Sequence, residues 1–304
     1  MHAHDHSHGH DHAHHHHGAP GGRYSIAIAL NVAFAALEAF AGFIANSTAL
    51  LADAGHNLSD VLGLVLAGGA AWLAGRAPSE RRTYGFAKAS VLSALANALV
   101  LVGACGAIAW EALHRFAAPP ALNANIVMIV AAAGVILNGG TALLFVRGRK
   151  DDVNVRGAFL HMAGDTAVSA GVISAGALIA LTGATWIDPA ASLIVCAVIL
   201  WSTWALMRES LDLALDSAPS GIDVADVRAH LAALPGVTAV HDLHVWAMSA
   251  TEPALTAHLV LPDGGNDGFL ASATQSLSKS FNIRHATLQI ERVHSEACAE
   301  HAHP

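Results

Sequence analysis

Over the first two-thirds of the chain, apolar residues run in long blocks. Six of these blocks reach the length of about 20 residues that a helix needs to cross a bilayer. They cover 25–44, 49–73, 89–113, 126–146, 157–181 and 187–206. From about Ser217 the sequence becomes polar and mixed. Residues 223–234 carry Val224, Val227, Leu231 and Leu234 at helical spacing and stop at Pro235-Gly236. Two strand-like runs follow at 237–248 and 254–261, then a helix at 269–281 and a last strand at His285–Glu291. The pattern predicts a membrane all-α six-helix transmembrane bundle followed by a small α+β domain of order αββαβ. The expected divisions are a His-rich tail at 1–22, the bundle at 23–212, the α+β domain at 213–292 and a tail at 293–304.

Composition strengthens the membrane reading. The chain is 54% hydrophobic and 12% charged, with a mean hydropathy of +0.48, which is unusual for a soluble domain. Basic residues give the orientation, because cytoplasmic loops carry the excess of Lys and Arg. In an alternating six-span arrangement Arg23, Arg76, Arg81, Arg82, Lys88, Arg147, Arg149, Lys150, Arg156 and Arg208 share one side, and Arg115 alone falls on the other. Both termini and the α+β domain are therefore expected in the cytoplasm. The net charge of −8 says little about partners, and nothing resembles a nucleic-acid surface. Cys105, Cys196 and Cys298 are too few for a disulfide framework and are expected to be reduced. The first apolar block is full length and reads as an anchor rather than a cleaved signal.

Two places in the apolar blocks break the pattern in the same way. His56 is followed four residues later by Asp60, and His161 by Asp165. On a helix each pair lies one turn apart on one face. Ionisable side chains are costly inside a membrane span and usually face the protein interior or a polar pathway. With a rise of 1.5 Å per residue in a core about 30 Å thick, Asp60 falls about 16 Å and Asp165 about 18 Å from the outer face. One shared midplane site is feasible, and two imidazoles with two carboxylates form a zinc-type ligand set. Asp53 extends the stripe towards the N-terminus, and Glu38 and Asn31 put polar groups in the first span. For these three, structural or proton-handling roles weigh as much as metal ligation. Asn97, Glu111 and Asn138 read as helix-to-helix hydrogen bonds or interfacial residues.

The N-terminal stretch has ten histidines between His2 and His17, interleaved with Asp, Ser, Gly and Ala, which argues against a purification tag. Such a segment is expected to be disordered and to bind transition metals transiently. At the other end His294, Cys298, His301 and His303 suggest a second scavenging tail, without the Cys-x-x-Cys of a defined site.

Several stretches together carry a family resemblance. The run from Asn46 to Asp60, Glu80-Arg-Arg-Thr-Tyr-Gly-Phe86, the run from Asn154 to Asp165, and His241-Asp-Leu-His-Val-Trp246 occur in the order found in the cation diffusion facilitator family of proton-coupled metal exporters. The resemblance extends from about Tyr24 to Arg292. It implies a transport site built from His56, Asp60, His161 and Asp165, and His/Asp on both helices implies the zinc-preferring branch. It also implies that the α+β domain is ferredoxin-like or metallochaperone-like, dimerises, and binds regulatory zinc through His241, His258 and Glu291. Gln289 stands where some members have a histidine, so His285 or His244 is the expected substitute, and His285 shares a face with Thr287, Gln289 and Glu291.

The function expected from all this is export of Zn²⁺ in exchange for protons by alternating access, from a homodimer in a bacterial inner membrane. No enzymatic activity is expected, since a membrane metallohydrolase would need a motif such as His-Glu-x-x-His, which is absent. The alternative is a membrane-embedded metal sensor without transport, for which a midplane ligand set has no use.

Overall fold

A computed structural model describes residues 22–146 and 153–293. The His-rich N-terminal tail, the tail after Val293 with Cys298, and the basic residues Arg147, Arg149 and Lys150 lie outside the described residues. Six helices come first: α1 (Gly22–Ala45), α2 (Thr48–Ala74), α3 (Ala89–Ala117), α4 (Ala124–Phe145), α5 (Val153–Thr182) and α6 (Ile187–Ala214). Five of them are long and apolar enough to cross a membrane, and α1 has a shorter apolar stretch, Ala29–Ala45. Large side chains such as Phe43, Leu144, Leu181 and Trp201 are more than three-quarters exposed, which suits a surface facing lipid.

The buried centre is made largely of small residues: Ala41, Ala45, Ala49, Ala52, Cys105, Ala131 and Cys196 line it together with Leu50, Val172 and Ile199. Small residues allow close backbone approach, which is the main source of attraction between helices in lipid. Gly42 illustrates it, because a Cβ there would come within 3.0 Å of Leu51 on α2. Both Cys105 and Cys196 are free thiols. α4 lies along α5 and α3 along α6, while α2 packs against α1, α3 and α6. α2 and α5 meet only over a short stretch.

The start of α2 is fixed with unusual force for a helix end. Ser47 caps it by accepting from the Leu50 amide at 3.1 Å. Asp188 in the first turn of α6 accepts from the Thr48 amide at 2.6 Å, from the Thr48 hydroxyl at 2.8 Å and from the Ser47 hydroxyl. All three residues are buried. On the same side Arg115, the one basic residue expected outside, donates to Glu111 at 2.8 Å and to the Asn46 carbonyl at 2.6 Å.

The C-terminal unit follows the predicted order: α7 (Val224–Ala232), β1 (Ala239–Ala247), β2 (Pro253–Val260), α8 (Asp267–Phe281) and β3 (His285–Glu291). β1 pairs antiparallel with β2, and β3 pairs parallel with β2 after the α8 crossover. Val227, Leu231, Leu255, Leu259, Leu277 and Ile283 close the core between sheet and helices. Asn282 ends α8 with a φ of 57°, a left-handed residue of the type that commonly stops a helix. Among the contacts that join this unit to the bundle, Lys88 pairs with Asp216, the Ala250 amide donates to Ser90 Oγ at 3.2 Å, and the Tyr84 ring stands edge-on to His285 at 5.5 Å.

Removing the Asp188 carboxylate strands the donors of Ser47 and Thr48 in a buried place. Asp188→Ala is expected to cost about 2–3 kcal/mol and Asp188→Asn less, read as a lower midpoint of thermal unfolding in detergent. An unchanged midpoint for Asp188→Ala would contradict this account of how α2 is anchored.

Candidate metal centre

α2 and α5 run antiparallel where they meet, and their polar residues pair off along the contact. Asp53 faces Ser169, His56 faces Asp165, and Asp60 faces His161. The two four-residue spacings are thus brought together as one cluster. His56 Nε2 lies 3.1 Å from Asp165 and 3.8 Å from Asp60, and His161 Nε2 lies 3.3 Å from Asp60 and 3.7 Å from Asp165. One ligand atom from each of the four lies within 4.8 Å of all the others. A tetrahedral ion bound at 2.0–2.2 Å needs ligand atoms about 3.3–3.6 Å apart, so small side-chain adjustments close this set around Zn²⁺. Two nitrogens and two carboxylate oxygens also suit Co²⁺ or Cd²⁺ better than the harder Mg²⁺.

Access to the cluster is uneven. The side chains of His56 and Asp165 are 12% and 6% exposed, whereas those of Asp60 and His161 are 33% and 44% exposed. Asp60 and His161 are also the members nearer the end of the bundle that joins the C-terminal unit, since α2 leads from them towards Lys88 and α5 enters before them. The more open flank therefore faces that side.

Around the ligands, Asn57 Nδ2 donates to Glu38 Oε2 at 2.8 Å, Ser169 Oγ donates to Asp53 Oδ2 at 2.9 Å, and Ser59 Oγ contacts Asn97 at 3.4 Å. Glu38 and Asp53 are fully buried and outside the ligand set. Asn31 is exposed, Glu111 is occupied by Arg115, and Asn138 is buried on α4.

A second cluster forms on the sheet of the C-terminal unit. Register sets His241 opposite His258, and His258 beside Gln289 on β3. His241 Nε2 and His258 Nδ1 each lie 3.0 Å from a Glu291 carboxylate oxygen, and the two rings meet edge-on at 5.1 Å. Gln289 donates to Glu291 at 3.0 Å, which places an amide beside the group as a partner rather than a ligand.

His285 does not join this cluster. It sits opposite Ala254 and against Tyr84, six residues before Glu291 on an extended strand, a span of about 20 Å. Sharing a strand face was the right geometry but far too long a reach. Asp242 stands at the edge of the cluster instead, 3.4 Å from His258 and 2.9 Å from His244. A bulge between His241 and His244 and a φ of 48° at Asp242 turn its carboxylate towards the histidines. The neighbouring His244 holds the Asp242 carboxyl below its ordinary range, with His258 and His241 adding to the effect. Strict alternation along β1 would have pointed Asp242 to the other face, and no sequence signal announced the bulge beyond the tolerance of Asp for positive φ.

Comparison with known proteins places the chain in a family setting. The model of the cation efflux transmembrane domain matches residues 25–213, and that of the cation efflux protein cytoplasmic domain matches residues 219–293. The chain is 35% identical over 277 residues to the metal cation efflux system protein CzcD of Cupriavidus metallidurans, covering 90% of this chain and 88% of that protein. It is 36% identical over 272 residues to the zinc transporter ZitB of Escherichia coli, covering 88% and 87%. It is 34% identical over 264 residues to the cadmium, cobalt and zinc/H⁺-K⁺ antiporter of Bacillus velezensis, covering 84% and 83%.

The sheet cluster separates two histidines that the sequence treats alike. In the full chain His258→Ala is expected to weaken zinc retention at this site at least about tenfold against a competing chelator, while His285→Ala leaves it unchanged. Equal losses in the two variants would return His285 to the ligand set.

Proposed function

The chain belongs to the cation diffusion facilitator family of cation efflux proteins, and from that premise we propose that it exchanges Zn²⁺ for protons across the membrane through His56, Asp60, His161 and Asp165. The observation that carries this reading is the convergence of four ligand atoms from two antiparallel membrane helices to within 4.8 Å. The names of the relatives, a zinc transporter and a cadmium, cobalt and zinc antiporter, supply the cargo class and the counter-ion.

In the arrangement described, the cation enters past Asp60 and His161, from the side of the C-terminal unit, and completes its coordination on the less exposed His56 and Asp165. Binding needs neutral imidazoles and ionised carboxylates, so arrival of the cation expels protons. Protons returning from the opposite side compete for the same nitrogens and oxygens and release it. Histidine suits this exchange because its ordinary pKa of about 6.5 is close to physiological pH. A shift of helices about the sparse α2 and α5 contact exposes the site to each side in turn.

The positive residues of the α2 to α3 connection and the C-terminal unit belong in the cytoplasm on this reading, and a bacterial inner membrane is the setting. His241, His258 and Glu291, with Asp242 at their edge, form a regulatory cytoplasmic zinc site. The C-terminal unit joins two copies of the chain, so that zinc there biases the pair towards one state of the bundle.

The decisive experiment is zinc flux in proteoliposomes with an imposed pH gradient. Zinc should accumulate in the more acidic compartment, because protons leaving it drive the cation in. Asp60→Ala and Asp165→Ala are expected to lower the flux to background while the protein still elutes as a folded dimer. Retained flux in either variant would refute the site, and absence of flux in the native chain despite zinc binding would favour a sensor. Replacing a nitrogen ligand by an oxygen tests the cargo preference separately. His56→Asp should lower the transport of Zn²⁺ relative to Mn²⁺ at least about tenfold, measured as competing fluxes.

A further inference from the structure

Two carboxyls next to the cation site have no part in it. Glu38 on α1 and Asp53 on α2 are both 0% exposed, within the helical bundle. One oxygen of each is satisfied, by Asn57 Nδ2 at 2.8 Å on Glu38 and by Ser169 Oγ at 2.9 Å on Asp53. The other oxygens, Glu38 Oε1 and Asp53 Oδ1, are buried and have no hydrogen-bond partner among the described residues. Asn57 stands one turn after Asp53 on α2, so the Glu38 carboxyl that it holds lies beside Asp53, and the two carboxyls act on one another. Two buried acceptors side by side repel as a pair of carboxylates, at a cost that burial raises. A single proton resolves both problems, because a carboxylic acid donates to a carboxylate through a short charge-assisted bond.

We propose that Glu38 and Asp53 hold one shared, exchangeable proton beside the cation ligands, and that the pair gives it up when a divalent cation binds. This inference rests on the reading of His56, Asp60, His161 and Asp165 as the cation site. Asp53 and His56 are one turn apart on α2, so a dication on His56 lies close to the pair in a medium of low dielectric constant. Its field favours the fully ionised pair. The O–H bond then breaks, the electron pair stays on the carboxylate, and the proton leaves to water.

The other charged groups around the pair are few. His56 on α2 and Asp165 on α5 act on Asp53 through space. α4, which packs against α1, contains no ionisable residue. On α3, Glu111 is engaged by Arg115, and His114 bonds to the Trp110 carbonyl. On α6, Asp188 is committed to Ser47 and Thr48 at the far end of α2, and Arg208, Glu209 and Asp212 lie in the last two turns.

The test counts protons released to a pH indicator as zinc saturates the full-length protein. Glu38→Gln is the informative variant, since its amide oxygen can accept from Asn57 while its NH₂ supplies the missing donor to Asp53. Glu38→Gln should release close to one proton fewer per chain than the native protein. In an Asp60→Ala background the same substitution should make no difference. An equal proton count for native and Glu38→Gln protein overturns the proposal, as does a deficit that persists unchanged with Asp60→Ala. Zinc binding wholly indifferent to Asp60→Ala refutes the cation site itself, which is a separate result. Should Glu38→Gln fail to fold, Asp53→Asn takes its place. Infrared spectroscopy of the native chain gives an independent reading, expecting a protonated-carboxyl band that disappears when zinc binds; a band untouched by zinc overturns the proposal.

Discussion

An ionisable side chain inside an apolar helix is tolerated only where another side chain meets it, and the packing of this bundle is organised around that requirement. α2 carries Asp53, His56 and Asp60 in a stretch of eight residues, and α5 answers with Ser169, Asp165 and His161 in the reverse order. Antiparallel helices of equal pitch keep such a match in register for two turns. The match holds only if α2 cannot slide or rotate. Its first turn is therefore pinned to α6 by Asp188, and Gly42 lets α1 approach its side at the distance of a backbone contact. On the other flank Gly134 of α4 leaves room for Ser169, since a Cβ there would lie 2.9 Å from the Ser169 hydroxyl.

The same helix connects the site to the rest of the molecule. After Asp60, α2 runs on to the connection that contains Tyr84 and ends at Lys88, and both residues touch the C-terminal unit, at His285 and Asp216. On the proposed reading this connection is the route by which a shift of α2 against α5 reaches those contacts, and by which a change in the sheet domain reaches α2. His285 acquires a place in this picture that its sequence neighbours did not suggest. It lies at the joint between the units rather than in the sheet cluster. Coupling between two sites needs an element with two arrangements that both sites bias. The brief α2 and α5 contact, held at one end by Asp188 and at the other by the joint, is the part of the structure that fits this description.

Much of the architecture was legible because its determinants are local. A span declares itself by length and apolarity, and the αββαβ order by changes of period and by Pro235-Gly236. The His56/Asp60 and His161/Asp165 pairs were legible as faces, and antiparallel spans made their meeting geometrically feasible. What failed depends on register and rotation. Asp242 was hidden because one residue of bulge reverses the face that alternation assigns. His285 is different: its separation of about 20 Å from Glu291 follows from six residues of extended strand and was legible, and only the shared face was weighed. Glu38 and Asp53 were visible as polar intruders in separate spans. Their proximity depends on how α1 turns about its own axis, which small residues such as Ala35 and Ala41 permit without announcing.

On the proposed reading, charge explains why a set of two imidazoles and two carboxylates suits a cation held in the middle of a bilayer. Two carboxylates balance one dication, and they also balance two protons, while the imidazoles add coordination without adding charge. On the proposed reading the four ligands thus carry no net charge in either occupied state, and neither state bears the large cost of an isolated buried ion. The empty, fully ionised state is the expensive one. A conformational change is then easiest when the site holds either cargo, which ties movement of the cation to movement of protons without a separate latch. A shared proton on Glu38 and Asp53 extends this logic, because it lets the neighbouring carboxyls follow the charge of the site instead of opposing it.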